Sequence, residues 1–112
     1  FIEQQRTLSD KLKENLKRLD VYISSHVLNA NAFSVDFDNM PYKFDVLFLD
    51  PPFRENLIQR SLDFVKSENI LSPKGLIYLE CEKELQLSKL TKSFNLLKEA
   101  KGGQTQYCLY ES

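Results

Sequence analysis

Four consecutive residues, Asp50-Pro51-Pro52-Phe53, bring together groups that could do chemistry. Asp50 supplies a carboxylate, the prolines supply carbonyl oxygens with no N–H of their own, and Phe53 supplies a flat apolar ring. This set suits a flat base bearing an exocyclic amine, with acceptors for the amine hydrogens and a ring for stacking. The two prolines also fix the local backbone. Each sets its own φ and pushes the preceding residue into an extended conformation, so Asp50 and Pro51 cannot continue into a helix and the loop is stiff.

The elements that must position this loop can be read outward from it. The run Phe44-Asp45-Val46-Leu47-Phe48-Leu49 is almost unbroken in apolar character and reads as a strand covered on both faces, in the interior of a parallel sheet. The Asp50 loop then falls at the carboxyl end of that strand, the edge where open α/β sheets bind ligands. Upstream, leucines at 8, 12, 16 and 19 follow helical spacing, with Lys17 and Arg18 placed at the negative end of that helix. Phe1-Ile2-Glu3 reads as the end of a strand, and Val21 to Leu28 as a second strand ending in Asn29-Ala30-Asn31-Ala32. A short helical turn follows, then a loop through Asp36 to Pro41. Downstream, Leu57, Ile58, Leu62 and Val65 predict a helix over 55–67, broken before Pro73-Lys74-Gly75, and Leu76 to Glu80 predicts a strand. After an irregular link over 82–93, the segments 94–100 and 105–110 flank Gly102-Gly103 as an antiparallel hairpin.

The totals narrow the class. A chain of 112 residues, 42% hydrophobic and 28% charged, has the balance of one soluble domain. Its net charge of −1 gives no global basic field for a phosphate backbone, so any nucleic-acid contact is local or lies outside these residues. Cys81 and Cys108 are far apart and a single His26 completes no zinc set, so no metal is expected and the cysteines read as reduced, buried thiols. No apolar run reaches a membrane span and no basic-then-apolar leader is present. A cytoplasmic location is expected, with no membrane partner.

Asp50-Pro51-Pro52-Phe53 resembles the (D/N/S)PP(Y/F) motif of S-adenosylmethionine-dependent methyltransferases that modify exocyclic amines of nucleobases. With the flanking segment from Phe44 to Asn56, Leu76-Ile77-Tyr78-Leu79-Glu80, and Gly103-Gln104-Thr105-Gln106-Tyr107, the chain resembles the RsmD family of 16S ribosomal RNA guanine-N2 methyltransferases. The resemblance covers nearly all 112 residues but only the later part of that family's domain. It implies an α/β fold: a doubly wound, Rossmann-like methyltransferase sheet with a C-terminal antiparallel hairpin. Residues 1–112 are expected to form a partial, N-terminally truncated S-adenosylmethionine-dependent domain.

The same resemblance implies methyl transfer to guanine N2, with ribosomal RNA or the small ribosomal subunit as partner. Asp50 and the Pro51 carbonyl would accept the amine hydrogens, Pro52 would stiffen the loop, and Phe53 would stack on the base. Arg54 would reach an RNA phosphate, while Arg60 fits a solvated face better. Glu80 is expected to support the site from the end of the next strand. Glu3, ending a strand before a helix, stands where doubly wound folds place an acid on ribose hydroxyls. Asn31 and Ala32 match the family's adenine-contacting pair. From the motif alone another reading stays open, in which Asp50-Pro51-Pro52 simply ends a strand and Phe53 is core; Glu3 could equally be a surface residue, and Asn31 a helix cap. Two other functions remain in play: N6-adenine methylation of DNA, and a non-catalytic α/β interaction domain. The family's glycine-rich loop has no counterpart among Gly75, Gly102 and Gly103. The chain is therefore expected to bind S-adenosylmethionine weakly and to be poorly stable as a monomer or to self-associate through unpaired strand edges.

Overall fold

In the computed structural model, which describes residues 1–52, 57–87 and 92–112, the chain falls into two units, Phe1–Asp36 and Phe37–Ser112. The second unit contains strand β1 (Phe44–Leu49), helix α2 (Leu57–Ser67) and strands β2 (Leu71–Glu82), β3 (Asn95–Gly102) and β4 (Thr105–Glu111). They build one sheet in the order β1-β2-β4-β3. β1 and β2 are parallel and joined through α2, while β4 runs antiparallel to both β2 and β3. The α/β reading and the terminal hairpin are therefore present.

Period-two alternation decides which sheet face is covered. Ile77, Leu79 and Cys81 on β2 are opposite Tyr110, Cys108 and Gln106 on β4, and all six are buried. Helix α2 presents Ile58, Leu62 and Val65 at the spacing of one helical stripe, and these are buried too. Together they make the core. The amide of Gln106 donates to the carbonyls of Glu82 (2.8 Å) and Leu85 (2.9 Å), which ties down the irregular link after β2. At the hairpin, Gly102 pairs with Thr105, and Gly103 takes φ +60° at the first loop position, where a type II′ turn calls for glycine.

Two expectations about strands need correction. β1 lies at an edge of the described sheet rather than inside it: Val46 is 46% exposed and Phe48 72% exposed. Its two-sided apolar pattern asks for cover that is incomplete among the described residues of this unit. The predicted strand Val21 to Leu28 is also absent. Tyr22–Ser24 form a 3₁₀ turn, and Ile23 is 98% exposed. The hydroxyls of Ser24 (3.1 Å) and Ser25 (2.6 Å) both donate to the Val21 carbonyl, and such local bonds compete with a strand ladder.

Around Pro73-Lys74-Gly75 the strand continues, but only through a bulge. Phe44 pairs with Leu71 and Val46 with Leu76, so the extra residues loop out, with Lys74 at φ 62°. A Cβ on Gly75 would meet the Ser72 carbonyl oxygen at 2.9 Å, so the tight return needs glycine there. In the first unit, helix α1 (Arg6–Arg18) matches the leucine spacing and carries Lys17 and Arg18 in its last turn. A single parallel bridge joins Ile2 to Leu28.

Candidate functional site

Asp50 follows directly from β1, and Pro51 and Pro52 continue from it as half-buried and exposed residues without regular structure. The last parallel pair is Leu49 with Leu79. Asp50 therefore leaves β1 next to Glu80, which stays in β2. Burial, and then the nearby Glu80 carboxylate, push the Asp50 carboxyl above its usual range. Glu80 is itself held: the Tyr78 hydroxyl donates to its Oε1 at 2.9 Å. That bond, before burial and neighbouring charge, keeps Tyr78 protonated to higher pH than an ordinary tyrosine. Phe48 stands against Tyr78 with ring centroids 5.5 Å apart, and Tyr107 is the cross-strand partner of Glu80. The result is a carboxylate pair rimming an aromatic, half-open sheet face. Phe53 and Arg54 lie outside the described residues.

Glu3, Asn31 and Ala32 all belong to the first unit. The Leu28 amide donates to the Phe1 carbonyl (2.9 Å), the Glu3 amide to Leu28 (3.0 Å) and the Ala30 amide to Glu3 (3.2 Å), a short parallel ladder that brings the two segment ends together. Asn29 staples the same place, its amide donating to the carbonyls of Glu3 and Gln4, both at 2.9 Å. The Glu3 carboxylate accepts from the Gln5 amide at 2.6 Å through Oε1, which orients it at the start of α1 and leaves further lone pairs for hydroxyl donors. Asn31 Oδ1 accepts from the Phe33 amide at 2.9 Å, capping the turn Ala32–Ser34. The capping role that the sequence left open is thus real. It still leaves the Asn31 side-chain NH₂ and one oxygen lone pair to meet a heterocycle edge. These groups fit the ribose and adenine of a nucleoside cofactor.

Sequence reasoning gave Glu80 a supporting place but missed Tyr78 and Asn29. For Tyr78 the signal was present: Tyr78-Leu79-Glu80 on a strand puts Tyr78 and Glu80 on one face. Both cysteines are free and buried. Burial pushes the Cys81 thiol up to about 11 and raises Cys108 as well, so neither is a ready nucleophile at neutral pH. Among the described residues no helix is long and apolar enough to cross a membrane.

Solved structures place this architecture in a class. A Haemophilus influenzae protein described as a candidate methylase superposes with a TM-score of 0.85 at 34% identity, covering 99% of this chain and 70% of that one. An Escherichia coli protein described as a candidate methyltransferase gives 0.83 at 32% identity, covering 98% and 60%. The fold is that of a Rossmann-like methyltransferase domain. The family model "Conserved hypothetical protein 95" matches residues 1–111, and the chain belongs to that family, the RsmD family. Curated relatives include the ribosomal RNA small subunit methyltransferases D of Haemophilus influenzae, 38% identical across the whole chain, and of Escherichia coli K12, 32% identical across 99% of it. The chain spans 58% and 55% of the lengths of these two relatives.

Proposed function

We propose that the full-length protein containing this chain transfers a methyl group from S-adenosylmethionine to the exocyclic N2 amine of a guanine in small-subunit ribosomal RNA. The observation that carries this reading is the placement of Asp50, Pro51 and Pro52 at the carboxyl end of a parallel strand, in a chain that belongs to the RsmD family. When bound, the cofactor supplies an electrophilic methyl on a sulfonium; Glu3 would hold its ribose, with Asn31 and Ala32 at its adenine. Guanine N2 is a weak nucleophile because its lone pair is delocalised into the ring. The Asp50 carboxylate and the Pro51 carbonyl each accept one N2 hydrogen, which aims the lone pair at the methyl. As N2 becomes positive, the carboxylate stabilises that charge and eases loss of the proton. Pro52 keeps the acceptors in place. Phe53 stacks on the extruded base and Arg54 meets a phosphate.

The test is methylation of small-subunit ribosomal RNA by the full-length protein, followed by nucleoside analysis. N2-methylguanosine is the expected product. Asp50→Ala should lower turnover about 100-fold or more while leaving cofactor affinity nearly unchanged. N6-methyladenine would replace the base assignment. Absence of transfer to any base would favour an interaction domain.

A further inference from the structure

Glu80 has no task in the mechanism above, yet it is the most carefully oriented acid on the open sheet face. Tyr78 fixes one of its oxygens at 2.9 Å, Phe48 braces the Tyr78 ring, and the parallel register sets it beside Asp50. Adjacent strands run about 4.8 Å apart. Carboxylates projecting from neighbouring positions on them can therefore converge on two neighbouring N–H groups of one ligand edge.

We infer that Glu80, oriented by Tyr78, accepts the N1–H of the target base while Asp50 accepts from the amine beside it, so that Glu80 selects guanine against adenine. The inference rests on the guanine-N2 reading and deepens it. Guanine presents N1–H and the N2 amine as adjacent donors on one edge. Adenine and cytosine also carry an amine, but the neighbouring ring nitrogen is an acceptor. Against either, the second carboxylate oxygen of Glu80 would face a lone pair and gain no donor at a partly desolvated site, which is costly. With guanine, both acids gain donors and their mutual repulsion is relieved. Tyr78 acts as the positioning residue, since its bond occupies Oε1 and leaves Oε2 directed at the ligand.

The analogue 2-aminopurine isolates the contact, because it keeps the amine of guanine but has an acceptor at N1. The full-length protein is first used to find the methylated nucleotide in small-subunit RNA, and synthetic RNAs are then made with guanine or 2-aminopurine at that nucleotide. We expect wild-type kcat/KM to favour guanine by at least about 100-fold. Glu80→Gln, whose amide can donate to an N1 acceptor, should lower the guanine rate and narrow that ratio at least tenfold. Tyr78→Phe, which keeps the ring and frees the carboxylate, should narrow it less. It decides the matter if Glu80→Gln does not fold. A wild-type ratio near one, or a ratio unchanged in both variants while guanine is still methylated, overturns the inference and leaves the methyltransferase reading standing. A wild-type protein that methylates no guanine overturns both the inference and the guanine-N2 reading.

Discussion

The sheet unit, Phe37–Ser112, buries a continuous apolar set running from Ile58, Leu62 and Val65 on α2 to Ile77, Leu79, Cys108 and Tyr110 on the strands. In Phe1–Asp36, Leu16 is the one hydrophobic side chain among the described residues that is buried, and Leu8, Leu19, Val21 and Ile23 are exposed. What shapes the first unit is backbone hydrogen bonding: the Phe1–Leu28–Glu3–Ala30 ladder and the Asn29 staple. Asp50 and Glu80, the proposed acceptor end, thus stand on a packed scaffold, where parallel register sets them on neighbouring strands. Glu3, Asn31 and Ala32, the proposed nucleotide end, stand on a few solvent-facing bonds, the kind of segment that opens at low free energy. Under the proposed function, rigidity is concentrated where the amine is aimed and compliance where the cofactor binds.

Stability measurements give the sharpest way to break this contrast. Leu79→Ala removes a side chain with no solvent exposure and should cost about 2–5 kcal/mol in denaturant unfolding. Ile23→Ser, on the exposed turn, should change stability by no more than about 0.5 kcal/mol. Equal losses would show that the first unit is packed as firmly as the second.

A smaller effect is expected at the nucleotide end. In the full-length protein, Glu3→Ala should raise KM for S-adenosylmethionine about 10- to 100-fold with kcat little changed, matching the roughly 1.5–3 kcal/mol of a charge-assisted hydrogen bond. A fall in kcat with unchanged KM would move Glu3 out of cofactor binding.

Smallest, and most specific to the acceptor end, is a pH effect. In the proposed mechanism the ionised Asp50 carboxylate is the working form, since only it stabilises the charge that develops on the amine, and burial with the Glu80 charge raises its pKa. Activity should therefore fail, as pH drops, at a higher pH than an ordinary aspartate would give. Removing the Glu80 charge in Glu80→Gln lowers the Asp50 pKa and moves that limb to lower pH. Burial persists, so the limb should not return all the way to the ordinary range. An unmoved limb would mean that Glu80 does not act on Asp50.

How much of this was legible before folding follows from how local each feature is. Leucines at helical spacing gave α1, which forms at Arg6–Arg18 with its basic last turn. The two prolines required a stiff stop after β1, because their constraint acts on their own and the preceding backbone. Gly102-Gly103 marked the hairpin; the turn falls one residue later, at Gly103, which takes the positive φ a two-residue turn calls for, while Gly102 still pairs in β3. Segment 21–28 forms no strand despite its β-branched composition because the hydroxyls of its serines bond back to Val21. Tertiary structure alone decided that β4 lies between β2 and β3, that β1 has one strand neighbour among the described residues, that Tyr78 bonds Glu80, and that the Glu80 charge acts on Asp50. Those outcomes depend on register between segments some thirty residues apart. Register is chosen by which side chains can be buried together, a property of the paired strands that neither segment carries by itself.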